Sequence, residues 1–112
     1  MATSQRMAVV HEETITAAGA LDNRAGTSTV SNAATAAFAV TLAAPEATAF
    51  GGIKIIEDNS GTATVGFTLA LTNVIGGTAT TTATFNADKE TLVLVAGTDK
   101  WIVLKQQGVT LS

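Results

Sequence analysis

Few side chains here are of a type that runs a reaction, and spacing tests each of them. His11 is the only histidine. A Ser-His-Asp triad needs a histidine that is hydrogen-bonded to a nucleophile and oriented by an acid. His11 stands far in sequence from Ser60, and no Gly-x-Ser-x-Gly turn occurs. Zinc sites use about three or four Cys, His or carboxylate ligands, and the chain has no cysteine. His11 is expected to be an ordinary solvent-exposed side chain.

The carboxylates come as Glu12-Glu13, Glu57-Asp58 and Asp88 with Glu90. A general acid/base pair needs two of them converging in a cleft. Neighbours on a strand point to opposite faces, so Glu12 and Glu13 diverge. Glu57-Asp58-Asn59 offers oxygen ligands of the kind calcium takes but lacks a spaced calcium-loop pattern and reads as a turn. Gly51-Gly52-Ile53-Lys54 has neither the spacing nor the hydroxyl of a phosphate loop and reads as a bend entering a strand. No catalytic, metal or cofactor-binding residue is expected, and the protein is read as a non-enzyme. Trp101, the only tryptophan, is of a type used for sugar stacking and for partner hot spots; the reading taken is an anchor of the core or of a subunit interface. The Thr-rich stretch 78–84 is read as a solvated β-surface, against an ice-binding or edge-pairing role.

Composition narrows the partners. The chain has 112 residues, of which 21 are Ala and 20 Thr; charged residues are 13% and the net charge is −3. An average soluble domain carries about 25% charge. Disorder is excluded by the low charge and high apolar content. Nucleic acid is an unsuitable partner, because no basic cluster exists to neutralise phosphates. The strictly apolar runs, such as Ala36 to Val40 and Leu92 to Ala96, are five residues long, where a membrane-spanning helix needs ~20. The opening Met-Ala-Thr-Ser-Gln-Arg lacks the apolar segment of a signal peptide. The chain is therefore read as soluble and made in the cytoplasm, with a surface covered by something other than charge.

The elements that position these residues follow from a period of two. Residues 1–35 are poor in bulky apolar side chains after Ile15 and contain Asp22-Asn23-Arg24-Ala25-Gly26, the composition of a loop or extended arm. Within them, Met7, Val9 and Ile15 suggest a strand-like piece. Residues 36–112 read as the folded domain. Phe38, Val40 and Leu42 share one face of a strand, preferred over a helix because the bulky residues recur at two. Phe50 to Glu57 is β-branched and strand-favouring, and Asp58-Asn59-Ser60-Gly61 is a turn. Val65, Phe67, Leu69 and Leu71 face one way, Phe85 anchors a Thr-rich strand, and Thr91 to Val95 and Trp101 to Leu104 form a last hairpin. About seven or eight strands with no helix predict an all-β fold, an antiparallel sandwich or barrel, jelly-roll-like in one version.

That hairpin is apolar on both faces. Leu92 and Leu94 oppose Val93 and Val95, and Trp101 and Val103 oppose Ile102 and Leu104. Antiparallel sheets usually have one face in the core and one in water. The second face is covered either by a neighbouring subunit or by a loop or arm of the same chain. Met7, Val9, Ile15, Val93, Val95, Ile102 and Leu104 are the candidate subunit or capsid contacts.

The C-terminal half resembles small β-structured modules of tailed-phage virion proteins, found in head decoration (cement) proteins and in fibres. The likeness rests on Gly52-Ile53-Lys54-Ile55-Ile56-Glu57-Asp58, on Asn59-Ser60-Gly61-Thr62-Ala63-Thr64-Val65, and on Glu90 to Leu104 with its Gly97-Thr98-Asp99-Lys100-Trp101 turn. Thr41-Leu42-Ala43-Ala44-Pro45 also matches the small-residue and proline segment preceding the Gly-Ile-Lys-Ile strand of such modules. The resemblance spans roughly residues 38–105, while residues 1–35 match nothing recognisable. It implies a non-enzymatic virion component, a homo-oligomer and usually a trimer. Such a protein would be placed on the capsid surface with the major capsid protein as partner. The alternative it leaves is a fibre or spike module that binds a host-surface glycan.

Overall fold

Phe67, Leu69 and Leu71 are buried while Thr68 and Ala70 are half-exposed, and this alternation repeats through the molecule. The computed structural model describes residues 11–32, 36–61, 66–75 and 80–112. Their strands are β1 (His11–Ile15), β2 (Gly19–Ala20), β3 (Gly26–Val30), β4 (Phe38–Leu42), β5 (Ile53–Asp58), β6 (Phe67–Thr72), β7 (Thr80–Phe85), β8 (Thr91–Gly97), β9 (Lys100–Gln107) and β10 (Thr110–Leu111). One 3-10 turn, Ala47–Ala49, follows Pro45. The chain is an all-β sandwich of two five-stranded sheets. The first runs β1-β3-β5-β8-β9 and the second β10-β7-β6-β4-β2.

The sheets are mixed, which corrects the antiparallel expectation and with it the jelly-roll version. β1 with β3, β3 with β5, β2 with β4 and β4 with β6 are parallel, whereas β5–β8, β8–β9, β6–β7 and β7–β10 are antiparallel. The cause is the path of the chain. From β1 to β6 each successive strand lies in the other sheet. A strand that returns to its own sheet after visiting the opposite one runs in its earlier direction. Parallel neighbours need a crossover of about a dozen residues or more, and here the crossover is itself a strand of the facing sheet. From β6 onward sequential strands also pair within a sheet, β6 with β7 and β8 with β9, and the chain changes sheet between β7 and β8 and between β9 and β10.

Residues 11–30 are built into both sheets, where a loop or arm covering 1–35 was expected. β3 sits between β1 and β5, and its Gly26, Ser28 and Val30 face inward. Small and polar inward residues concealed a central strand. Gly26 is required there: at φ +139° a Cβ would stand 1.9 Å from the His11 carbonyl oxygen, so β1 approaches β3 over bare backbone.

The core lies between the sheets. Val40, Leu42, Phe67, Leu69, Leu71 and Phe85 from the second sheet meet Val30, Ile56, Leu92, Leu94, Ala96 and Trp101 from the first. Phe67 and Phe85 stack with ring centroids 4.3 Å apart, an arrangement contributing about 0.5–1.5 kcal/mol beyond burial. Along one side the sheets are joined. The Trp101 N–H donates to the Asn73 carbonyl at 2.8 Å and the Ile75 N–H to the Trp101 carbonyl at 2.9 Å, so the segment following β6 bridges to β9.

Candidate functional site

The outer face of the first sheet carries the feature that composition pointed to. On β5, Ile53 and Ile55 alternate with buried Lys54 and Ile56. Register sets Ile53 opposite Val95 and Ile55 opposite Val93, and Val95 in turn opposite Ile102. Leu104 extends the row where the β8–β9 register shifts between Val93 and Leu94. Ile53 is 41% exposed, Ile102 39% and Leu104 61%, while Ile55, Val93 and Val95 are half-buried. The six side chains form one apolar stripe across three adjacent strands. Single exposed apolar residues are ordinary, but a contiguous patch marks an interaction surface.

The edge beside this stripe is closed to further strand pairing. β9 bears the exposed Lys100 and Lys105 and the irregularity at Leu104. Charges, above all Lys, and bulges blunt an edge strand. A partner would therefore meet the face of the sheet.

Of the candidate contacts, Val93, Val95, Ile102 and Leu104 come together in this stripe. Ile15 does not join them: it turns inward with His11 and Glu13 and packs against the core. Met7 and Val9 lie outside the described residues. Ile53 and Ile55 are additions that sequence reasoning missed, although their spacing of two, opposite Ile56, was the available signal.

The remaining chemistry-bearing residues are also placed. His11 is half-buried on β1 instead of solvent-exposed. Trp101 is wholly buried, and its Nε1–H donates to the Ala43 carbonyl at 2.9 Å. An open groove of about 390 Å³ is lined by Glu12, Glu13, Thr14, Thr27 and Thr29. Its carboxylates do not converge, since Glu12 is exposed while the Glu13 carboxylate is bonded inward to Ser28. Thr82 and Thr84 lie half-exposed on the outer face of β7. Among the described residues no group of three His, Cys, Asp or Glu side chains gathers to hold a metal, and no helix is long and apolar enough to cross a membrane.

Two polar clusters sit inside the sandwich. At one, wholly buried Lys54 donates to the Ser28 hydroxyl at 2.6 Å and lies 3.9 Å from Glu13 Oε2. Burial pushes the Lys54 amine below the ordinary lysine range, opposed by the charges of Glu13 and Asp22. Nearby, the hydrogen bond from Arg24 holds the Asp22 carboxyl down at about 2. At the other, wholly buried Asp58 accepts the Ser60 N–H at 3.0 Å and the Ser60 hydroxyl at 2.5 Å on Oδ1, while its Oδ2 has no hydrogen-bond partner. Burial pushes this carboxyl up, against the two Ser60 bonds, and the charges of Asp88 and Glu90 push it further. Compared with the known protein families the chain matches none, and no curated protein matches it either.

Proposed function

We propose that the chain is a non-enzymatic structural protein of a tailed-phage virion. In this reading it is a capsid decoration (cement) protein that binds the outer capsid surface as a homo-oligomer, a trimer, and stabilises the head. The observation that carries the reading is the outer apolar stripe of Ile53, Ile55, Val93, Val95, Ile102 and Leu104 on a chain with 13% charged residues. Burying such a face across a seam between major capsid subunits yields about 25 cal/mol per Å² before ordering costs. The resemblance over residues 38–105 supplies the partner class. A glycan-binding fibre module is the weaker reading, because Trp101, its best stacking platform, is buried with its indole N–H already bonded to Ala43.

The test mixes the purified chain with expanded phage heads that lack their decoration protein. Saturable binding with a rise in the temperature at which the heads break supports the reading. Failure to bind, or binding without gain in heat resistance, overturns it.

A further inference from the structure

Lys54, Ser28 and Glu13 stand on three consecutive strands of one sheet, β5, β3 and β1, all directed into the sandwich. Lys54 and Ser28 are wholly buried. The Ser28 hydroxyl accepts a hydrogen bond from Lys54 Nζ at 2.6 Å and donates one to Glu13 Oε2 at 2.5 Å. The Asp22 backbone N–H donates to the same Oε2 at 2.7 Å, fixing the carboxylate from the other side. Nζ and Oε2 are 3.9 Å apart, so the amine stands beside the Glu13 carboxyl group whose Cδ it would attack. Burial disfavours the Lys54 ammonium, and the Ser28 hydroxyl that bridges it to Glu13 is a path by which its proton can leave.

We propose that Lys54 and Glu13 condense without an external catalyst into an isopeptide, an amide between Nζ and Cδ that cross-links β1 to β5 across β3. A proton passes from the ammonium through the Ser28 hydroxyl to Oε2, leaving a neutral amine facing a neutral acid. The Nζ lone pair forms a bond to Cδ. A second amine proton follows the same path to Oε2, the Cδ–Oε2 bond breaks, and Oε2 departs as water. Oε1 remains as the amide oxygen. Nothing is oxidised or reduced, and the only product besides the amide is one water. Burial serves the reaction at Lys54, because the neutral amine that attacks is the form burial favours. Ser28 is the proton-relaying residue, and Asp22 positions the acid through its backbone. The product fastens β1, which among the described residues has β3 as its single neighbour in the sheet.

Intact-mass spectrometry of the purified full chain decides the matter. The folded protein is expected to be lighter than its sequence mass by one water. Proteolysis should yield a branched peptide that joins the Glu13 and Lys54 segments. Lys54→Met and Glu13→Ala are expected at their full sequence masses, and Ser28→Ala is expected to keep a larger unlinked fraction at early times after synthesis. A folded wild-type chain that stays at full sequence mass after prolonged incubation overturns the proposal. So does a loss of water that persists in Lys54→Met. The wild-type mass is read without any variant, so a variant that fails to fold does not obscure the result.

Discussion

The indole of Trp101, on β9 of the first sheet, donates its Nε1–H to the backbone carbonyl of Ala43, just past β4 of the second, at 2.9 Å. One side chain thus fills the core and ties the two layers together. The Trp101 backbone bonds to Asn73 and Ile75 complete the same seam. Trp101→Phe keeps an aromatic ring in the core but leaves the Ala43 carbonyl without that donor. It is expected to lower stability by about 1–3 kcal/mol, and Trp101→Ala by about 3–5 kcal/mol. Urea unfolding followed by circular dichroism measures both. A Phe variant as stable as the wild type would show that the hydrogen bond contributes nothing.

The outer stripe separates association from folding. Ile102→Lys and Leu104→Glu replace side chains on the outer face that are 39% and 61% exposed. Substitutions of this kind usually change stability by within about 0.5 kcal/mol. Both variants are expected to unfold like the wild type while losing oligomerisation, read by light scattering, and binding to undecorated heads. Retained binding with both changes combined would remove this face from the proposed capsid contact.

Strand positions and the inward faces of β4, β6, β7, β8 and β9 were legible in sequence, because Phe38-Val40-Leu42, Phe67-Leu69-Leu71 and Leu92-Leu94 repeat at two. The two-faced hairpin likewise announced Val93, Val95, Ile102 and Leu104. Pairing direction was not legible. A turn such as Asp58-Asn59-Ser60-Gly61 serves equally for a hairpin and for a corner between sheets, and only the three-dimensional path makes β3 and β5 parallel. β3 was missed for a different reason. Its inward residues Gly26 and Ser28 carry no hydrophobic signal, and Gly26 is there for the space it leaves. Lys54 was hidden by its neighbours: in Ile53-Lys54-Ile55-Ile56 a lysine occupies an inward position, which polar-out patterning assigns to solvent.

Gly26 yields a sharp local test. An alanine there meets both a backbone conformation at φ +139° and a contact of 1.9 Å with the His11 carbonyl oxygen. The conformation alone costs about 1–3 kcal/mol, and the contact forces β1 away from β3. Gly26→Ala is expected to lose stability by more than the conformational cost. Amide hydrogen exchange should become fast in His11 to Ile15 before the rest of the sheet opens. Equal protection of β1 in variant and wild type would contradict the close approach.

Asp58 makes stability depend on pH in a direction opposite to Asp22. Asp22, held down at about 2 from the model-peptide value of 3.8, contributes stability that is present above the unfolded value and lost as pH falls through about 2. Asp58 is pushed up from 3.8 by burial, so between that value and its raised value the folded state binds the extra proton. Its contribution falls as pH rises through this window and stays low above it, where the ionised carboxylate keeps a buried Oδ2 without a partner. Asp58→Asn cannot ionise and keeps an oxygen for the two Ser60 donors. It is expected to melt at a higher temperature than the wild type where the wild-type carboxyl is ionised, and to lose the advantage as pH falls and that carboxyl takes up its proton. Because Asp22 is unchanged in both proteins, the difference between their melting curves isolates Asp58. A variant less stable than the wild type at neutral pH would mean that the ionised carboxylate is welcomed by groups at the turn, and that its burial is not the dominant cost.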